Sequence, residues 1–254
     1  MVRHALITAG AKGLGRKVTE KLLEKGYSVT VNYRTYDRAV KDFQDQYKHL
    51  DDRLQFIQGD VTDKTNLIQL VDKTMERFGR IDFLINNAGP YIFERKNLID
   101  YEEAEWYEMI EGNLNSVFHL LKKTLPIMRK QHFGRIITYG FQGADAAQGW
   151  IHRSGFSAAK VGLVSLTKTI ALEEASYGIT ANMVCPGNIL GDMKEASISD
   201  ARSMTGMNHT PIGRSATGED IARTITFLCE NDSDMITGSI IDVTGGENVI
   251  NRFR

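Results

Sequence analysis

Short apolar runs alternate with longer amphipathic stretches along almost the whole chain, and this alternation restricts the fold more than any other feature. Ala5-Leu6-Ile7-Thr8, Val29-Thr30-Val31-Asn32 and Leu54-Gln55-Phe56-Ile57 read as buried strands. Ile81 to Ile85, Arg135 to Tyr139, Thr180 to Val184 and Ser239 to Val243 read as four more. Between them, Val18, Leu22 and Leu23, then Leu67, Leu70, Val71, Met75 and Phe78, then Phe156, Ala159, Leu163, Leu166 and Ile170 recur at helical spacing. The clearest period, Trp106, Met109, Ile110, Asn113, Val117, Leu121 and Leu125, predicts one long helix with a single apolar stripe. Further helices are predicted over Arg38 to Leu50 and Glu219 to Cys229, and Gly26 stops the first helix as a left-handed cap.

Strands that alternate with helices predict a parallel sheet covered on both faces, joined by right-handed crossovers. No linker, repeat or low-complexity tract interrupts the pattern. Residues 1–254 are therefore read as one domain, a single doubly wound α/β sheet of about seven strands. Ligands in such sheets bind at the carboxyl ends of the strands, near the topological switch point. From Asn188 to about Pro211 periodicity is weak, which predicts a substrate loop with a short helix inside it.

The formal net charge of −1 gives no reason to expect nucleic acid or an anionic membrane as partner. No apolar run reaches the length of a membrane span. The first residues lead directly into a strand-like stretch without signal-peptide layout, and Cys185 and Cys229 form no CxxC pair, so a cytoplasmic setting is expected. The six histidines show no zinc-ligand spacing, and no metal is expected.

Thr8-Ala9-Gly10-Ala11-Lys12-Gly13-Leu14-Gly15 lies between the first strand and the first helix. Glycines there let backbone approach a phosphate, and the helix N-terminus offers free N–H groups and a positive dipole end. This turn resembles the Thr-Gly-x-x-x-Gly-x-Gly of the short-chain dehydrogenase/reductase family. Gly13 and Gly15 match its second and third glycines, while Ala9 stands at the first and Gly10 follows one place later. If the first position requires a positive φ, alanine costs on the order of 1 kcal/mol there, unless Gly10 supplies the freedom instead. Asp60-Val61, Asn86-Asn87-Ala88-Gly89, Pro186-Gly187-Asn188-Ile189 and the stretch from Asp234 to Gly246 resemble further motifs of the family in the same order. The resemblance runs from about Ala5 to Gly246 and is nearest the β-ketoacyl-acyl-carrier-protein reductase group.

That resemblance implies a Rossmann-like, NADP(H)-binding fold and a homotetramer built on the long helices starting near Ala104 and Ser154. Thr8, Gly10, Lys12, Gly13, Leu14 and Gly15 would line the phosphate turn, Asp60 and Val61 the adenine, Asn87, Ala88 and Gly89 the adenosine ribose, and Pro186, Gly187 and Ile189 the nicotinamide. Gly191 stands where the family usually has a threonine. NAD-preferring members carry an acid at the end of the second strand; this chain has Asn32-Tyr33-Arg34-Thr35. Arg34 can fork onto a 2′-phosphate, Thr35 adds a hydroxyl and Lys12 a second positive charge, so NADP(H) is the expected cofactor.

The family reduces a carbonyl by hydride transfer, with a serine and a tyrosine on the oxygen, a lysine four residues after the tyrosine, and an asparagine on the preceding helix. Asn113 and Lys160 match the last two. Phe156 occupies the tyrosine position and Phe141 the serine position, and phenylalanine neither donates nor accepts a hydrogen bond. Two phenyl rings would suit an apolar, aromatic or acyl substrate. Tyr139, expected on the same side as Phe141, and Tyr91, His152 and Ser154 are the nearby polar groups that could substitute; Cys185 reads as a buried strand cysteine. Two functions stay open. One is an NADPH-dependent reductase of a carbonyl or activated double bond, with a relocated donor or a water held by Asn113 and Lys160. The other is a catalytically silent NADP(H)-binding sensor or partner subunit.

Overall fold

Seven strands form the sheet: β1 (His4–Ile7), β2 (Ser28–Tyr33), β3 (Leu54–Gln58), β4 (Phe83–Asn86), β5 (Gly134–Tyr139), β6 (Ile179–Pro186) and β7 (Ile240–Val243). All pairings are parallel, in the order β3-β2-β1-β4-β5-β6-β7. The structure is a computed structural model that describes residues 2–204 and 210–249. Eight α-helices are described: α1 (Gly13–Glu24), α2 (Arg38–Gln46), α3 (Lys64–Phe78), α4 (Glu103–Ile110), α5 (Ser116–Gln131), α6 (Ser154–Glu173), α7 (Ile198–Ser203) and α8 (Gly218–Leu228). The predicted doubly wound sheet is thus present, with each strand within a few residues of its expected place.

Both sheet faces are buried, which is why the strands read as nearly continuous apolar runs. On one face Ile7, Val29, Val31 and Ile85 pack with Val18 and Leu22 of α1, Phe43 of α2 and Ile221 and Ile225 of α8. On the other, Leu6, Leu84, Ile136 and Met183 pack with Leu70 of α3, Val117 and Leu121 of α5 and Leu163 of α6. Local signals set the helix ends. Asp37 and Asp63 cap α2 and α3 by accepting from Val40 N and Thr65 N, and Thr217 and Asp220 form a reciprocal capping box on α8. Gly26 and Gly79 take φ of +86° and +69° just beyond α1 and at the end of α3.

Two expected helices change. The second stops at Gln46, and Lys48–Leu50 form a separate 3₁₀ turn. The long helix with one stripe is broken: Glu111–Asn115 form a π turn between α4 and α5. The extra residue in that turn shifts the buried face, so that Val117, Leu120, Leu121, Thr124 and Met128 are buried while Leu125 is only partly so. The predicted substrate loop holds a 3₁₀ turn at Gly191–Lys194 and α7; its residues 205–209 lie outside the described residues. No helix among the described residues is long and apolar enough to cross a membrane. Sheet order reverses between β1 and β4, and the crevice beyond their carboxyl ends is where the candidate site lies.

Candidate active site

The turn after β1 is shaped by close packing. Ala9 itself adopts the left-handed conformation, with φ +49°, whereas Gly10 does not. The expectation that Gly10 supplies the freedom is corrected: alanine bears the strain, about 1–2 kcal/mol for a residue with a Cβ. The strained residue is held on both sides. Its N–H donates to Asn32 Oδ1 (3.3 Å), and its carbonyl accepts from Asn87 Nδ2 (3.1 Å), which also donates to Thr8 O (3.0 Å). Thr8 Oγ1 accepts from Ala88 N (2.9 Å), so Thr8 and Asn87 lock the ends of β1 and β4 together. Gly10 and Gly15 serve close approach: a Cβ would lie 3.1 Å from Ile7 and Thr19 at the first and 2.6 Å from Asn87 Nδ2 at the second.

Two adjoining cavities open here, sharing Ala9 and Gly89 in their walls. The larger, about 990 Å³, runs past Lys12, Gly13, Leu14 and Asn87 at the α1 N-terminus to Asn113, Phe156, Lys160 and Pro186. The smaller, about 230 Å³, is bordered by Asn32, Arg34, Asp60, Val61 and Ala88. Arg34 is exposed and meets no carboxylate among the described residues. Thr35 is exposed and lies outside both walls. Lys12 is paired with Asp37, the cap of α2, so its charge is partly spent. Asp60 Oδ1 accepts from Thr62 N and Oγ1 (2.9 and 2.8 Å). At the α1 N-terminus a carboxylate already sits: Glu195 Oε1 accepts from Gly13 N (2.7 Å) and Oε2 from Arg16 (3.2 Å).

At the far end of the large cavity the π turn presents Asn113. Its Nδ2 donates to Pro90 O and Met109 O (3.0 Å each), while Oδ1 is buried without a partner. Lys160, one turn after Phe156 on α6, is 4% exposed and meets no carboxylate among the described residues; its Nζ lies 5.5 Å from the Phe156 ring centre. Burial lowers its pKa to about 8. Asn113 Oδ1 and Lys160 Nζ converge on Gly89, where a Cβ would collide with the carboxamide and lie 3.6 Å from Nζ. Burial without a partner pushes the Tyr139 hydroxyl far up, and burial beside the Asp242 carboxylate does the same to the Cys185 thiol, leaving both protonated.

The two phenylalanines differ. Phe156 faces the cavity, but Phe141 does not line it: Phe141 is 4% exposed and packs on Trp150 (5.1 Å between ring centres) and Phe156 (6.4 Å). Strand parity places Tyr139 on the same side as Phe141, and the structure corrects this. Strand β5 ends at Tyr139, the chain turns at Gly140, and the two rings enter cores on opposite sheet faces. Tyr91 lines the cavity; His152 and Ser154 stand outside it. Gly187 N donates to Val243 O (2.9 Å), and Ile189, 6% exposed, packs into the core rather than the cavity wall. Asn32, which holds the Ala9 N–H, matches no motif; its signal in the sequence is a polar residue closing the apolar run Val29-Thr30-Val31. Arg153 and Glu195 carry no such signal, because Tyr91 and Gly13, the groups they hold, are distant in sequence; Asp37 reads locally only as the cap of α2, and its pairing with Lys12 does not.

Comparison with known proteins agrees with this architecture. The profile of the enoyl-(acyl carrier protein) reductase family matches residues 8–248. A Bacillus subtilis (strain 168) protein named "Putative oxidoreductase YtkK" is 68% identical over 251 residues, 99% of this chain and 98% of that protein. The 3-oxoacyl-[acyl-carrier-protein] reductase FabG of Haemophilus influenzae is 35% identical over 243 residues, 95% of this chain and 96% of that one. A solved structure of a "putative 3-oxoacyl-reductase" from Bacillus thuringiensis superposes with a TM-score of 0.93 at 66% identity, covering 99% of this chain and 100% of that chain.

Proposed function

The chain belongs to the short-chain dehydrogenase/reductase family, and from that premise we propose that it is an NADPH-dependent oxidoreductase that reduces a carbonyl or an activated double bond. The observation that carries this reading is the convergence of Asn113 Oδ1, buried without a hydrogen-bond partner, and the Nζ of the buried Lys160, which forms no ion pair among the described residues, on the floor of a cavity that continues to the α1 N-terminus. Buried polar atoms left without partners are costly, and a bound ligand or water that pairs with them removes the cost. The residues present fit a dinucleotide. Gly13 and Leu14 open α1 toward a pyrophosphate, Asp60 and Val61 border a pocket of adenine size, and Arg34 supplies an unopposed guanidinium for a ribose 2′-phosphate.

Bound NADPH supplies hydride to an electrophilic carbon. The chain's own part is to orient the ligand, exclude water and manage a proton. Lys160 and Asn113 are suited to hold ribose hydroxyls and an ordered water. Phe156 and Phe141 stand at the family's tyrosine and serine positions, so neither can touch the substrate oxygen with a donor. Phe156 and the neighbouring Tyr91 and Phe93 give the cavity an aromatic wall, which suits a small apolar, aromatic or acyl substrate. Tyr107, Phe118 and Leu172 leave apolar surface on the outer sides of α4, α5 and α6, which suits a homotetramer.

Calorimetric titration with NADPH and NADH, followed by stopped-flow oxidation of bound NADPH against a carbonyl and enone panel, tests the reading. Micromolar NADPH binding, weaker NADH binding and turnover support it. Binding without turnover would select a silent NADP(H)-binding protein, and no binding would end the proposal.

A further inference from the structure

Resting on the reductase reading, we infer that Tyr91 is the group that gives the substrate its proton and that Arg153 positions it. Among the described residues of the large cavity wall, Tyr91 and Tyr139 carry the only hydroxyl side chains. Tyr139 is a poor acid, because its hydroxyl lies buried with nothing to receive the charge left behind. Tyr91 is built differently. Its oxygen accepts a hydrogen bond from Arg153 Nε (2.5 Å), and the guanidinium carbon lies 4.9 Å from the ring centre. That bond occupies a lone pair and leaves the phenolic proton free to be donated. It also sets a fixed positive charge where phenolate charge develops on proton loss.

Arg153 is itself fixed. Nη1 donates to Glu94 O (2.7 Å) and His152 O (2.8 Å), and Nη2 to Phe93 O (3.2 Å), tying the segment after β4 to the start of α6. The Tyr91 ring meets Phe156 edge to face at 5.0 Å, and Phe156 in turn covers Lys160 Nζ. The hydroxyl missing from residue 156 is thus replaced by one on the adjacent ring, on the same cavity wall. In the step, the substrate carbon takes up the hydride and the C=O π pair moves onto oxygen. That oxygen bonds to the Tyr91 proton, and the phenolate regains a proton from solvent at the open cavity mouth.

Tyr91→Phe removes one oxygen and keeps the ring packing. Against the best acceptor of the carbonyl panel, it is expected to lower kcat by about 10²-fold or more, while the NADPH dissociation constant measured by calorimetry stays unchanged. The solvent deuterium isotope effect on the wild-type reaction should fall toward one in the variant, a change that a packing role would not produce. Arg153→Met should reproduce part of the loss with NADPH binding intact. A Tyr91→Phe protein as active as wild type, or one that loses NADPH binding, overturns the assignment and leaves the reductase reading standing. A wild type that binds NADPH and reduces nothing on the panel defeats the reductase reading and this inference with it.

Discussion

The two ends of the large cavity are built on different chemistry. At the α1 end the groups that would meet a ligand are backbone N–H groups and a helix dipole, held by Asn32, Asn87 and Thr8 through main-chain contacts. At the α6 end they are side-chain atoms: Asn113 Oδ1, Lys160 Nζ, the Tyr91 hydroxyl and the bare Phe156 ring. A backbone site tolerates substitution as long as the fold persists, so Ala9 can stand at the first glycine position of the motif at a cost of about 1–2 kcal/mol. A side-chain site has no such reserve, because losing one oxygen removes a proton donor outright. Binding and catalysis in this fold can therefore change independently.

The sharpest break of that comparison is at the α6 end. In a Tyr91→Phe background, Phe156→Tyr should restore about 10²-fold in turnover, measured as NADPH oxidation, because the added hydroxyl enters the same cavity beside Lys160. A hydroxyl at the other phenylalanine is less favourable: Phe141 is a core residue, and Phe141→Ser would destabilise the fold by roughly 3 kcal/mol.

Next in size is Lys160→Met, which replaces a buried, unpaired ammonium by an apolar side chain of similar length. Without cofactor the variant should be about 2 kcal/mol more stable than wild type near neutral pH, by denaturant melts. The sign with pH follows from burial. The folded-state pKa is lowered to about 8 from 10.5, so between those values the unfolded chain holds more protons and wild-type stability from this residue rises. The advantage of the variant should shrink across that window. An advantage independent of pH would mean that Lys160 is not held as an uncompensated cation.

At the α1 end the effects are smaller. Glu195 occupies the N-terminus of α1 with a negative charge, which the pyrophosphate of the proposed cofactor would have to displace. Glu195→Gln should tighten NADPH binding about fivefold, roughly 1 kcal/mol, in the same calorimetric titration. Ala9→Gly should have the smallest effect. Relief of the left-handed strain, offset by the greater freedom of glycine in the unfolded chain, predicts a gain of about 0.5–1 kcal/mol in thermal stability. A loss would show that Ala9's methyl group contributes packing worth more than its strain.

Periodicity and turn residues alone determined a good part of this protein. Strand runs such as Ala5-Leu6-Ile7, and helix stripes such as Leu67-Leu70-Val71, carry their burial pattern in their spacing. Caps and breakers such as Gly26, Gly79 and Asp63 act within a few residues. The placement of Asn113 and Lys160 at one cavity followed from motifs bound to those elements.

Only the tertiary structure decided the rest. The π turn at Glu111–Asn115 offsets a stripe that reads as continuous, because the helix bulges where Asn113 reaches Pro90 O. Phe141 and Tyr139 part to opposite faces once the chain turns at Gly140, which no parity rule anticipates. The Lys12–Asp37 pair, the Glu195 carboxylate at Gly13 N and the Arg153–Tyr91 bond join residues 25, 182 and 62 positions apart. Local sequence sets the elements because their forces act over one or two turns. Which charges and rings meet across the cavity depends on packing those elements together, and that information exists only in the folded chain.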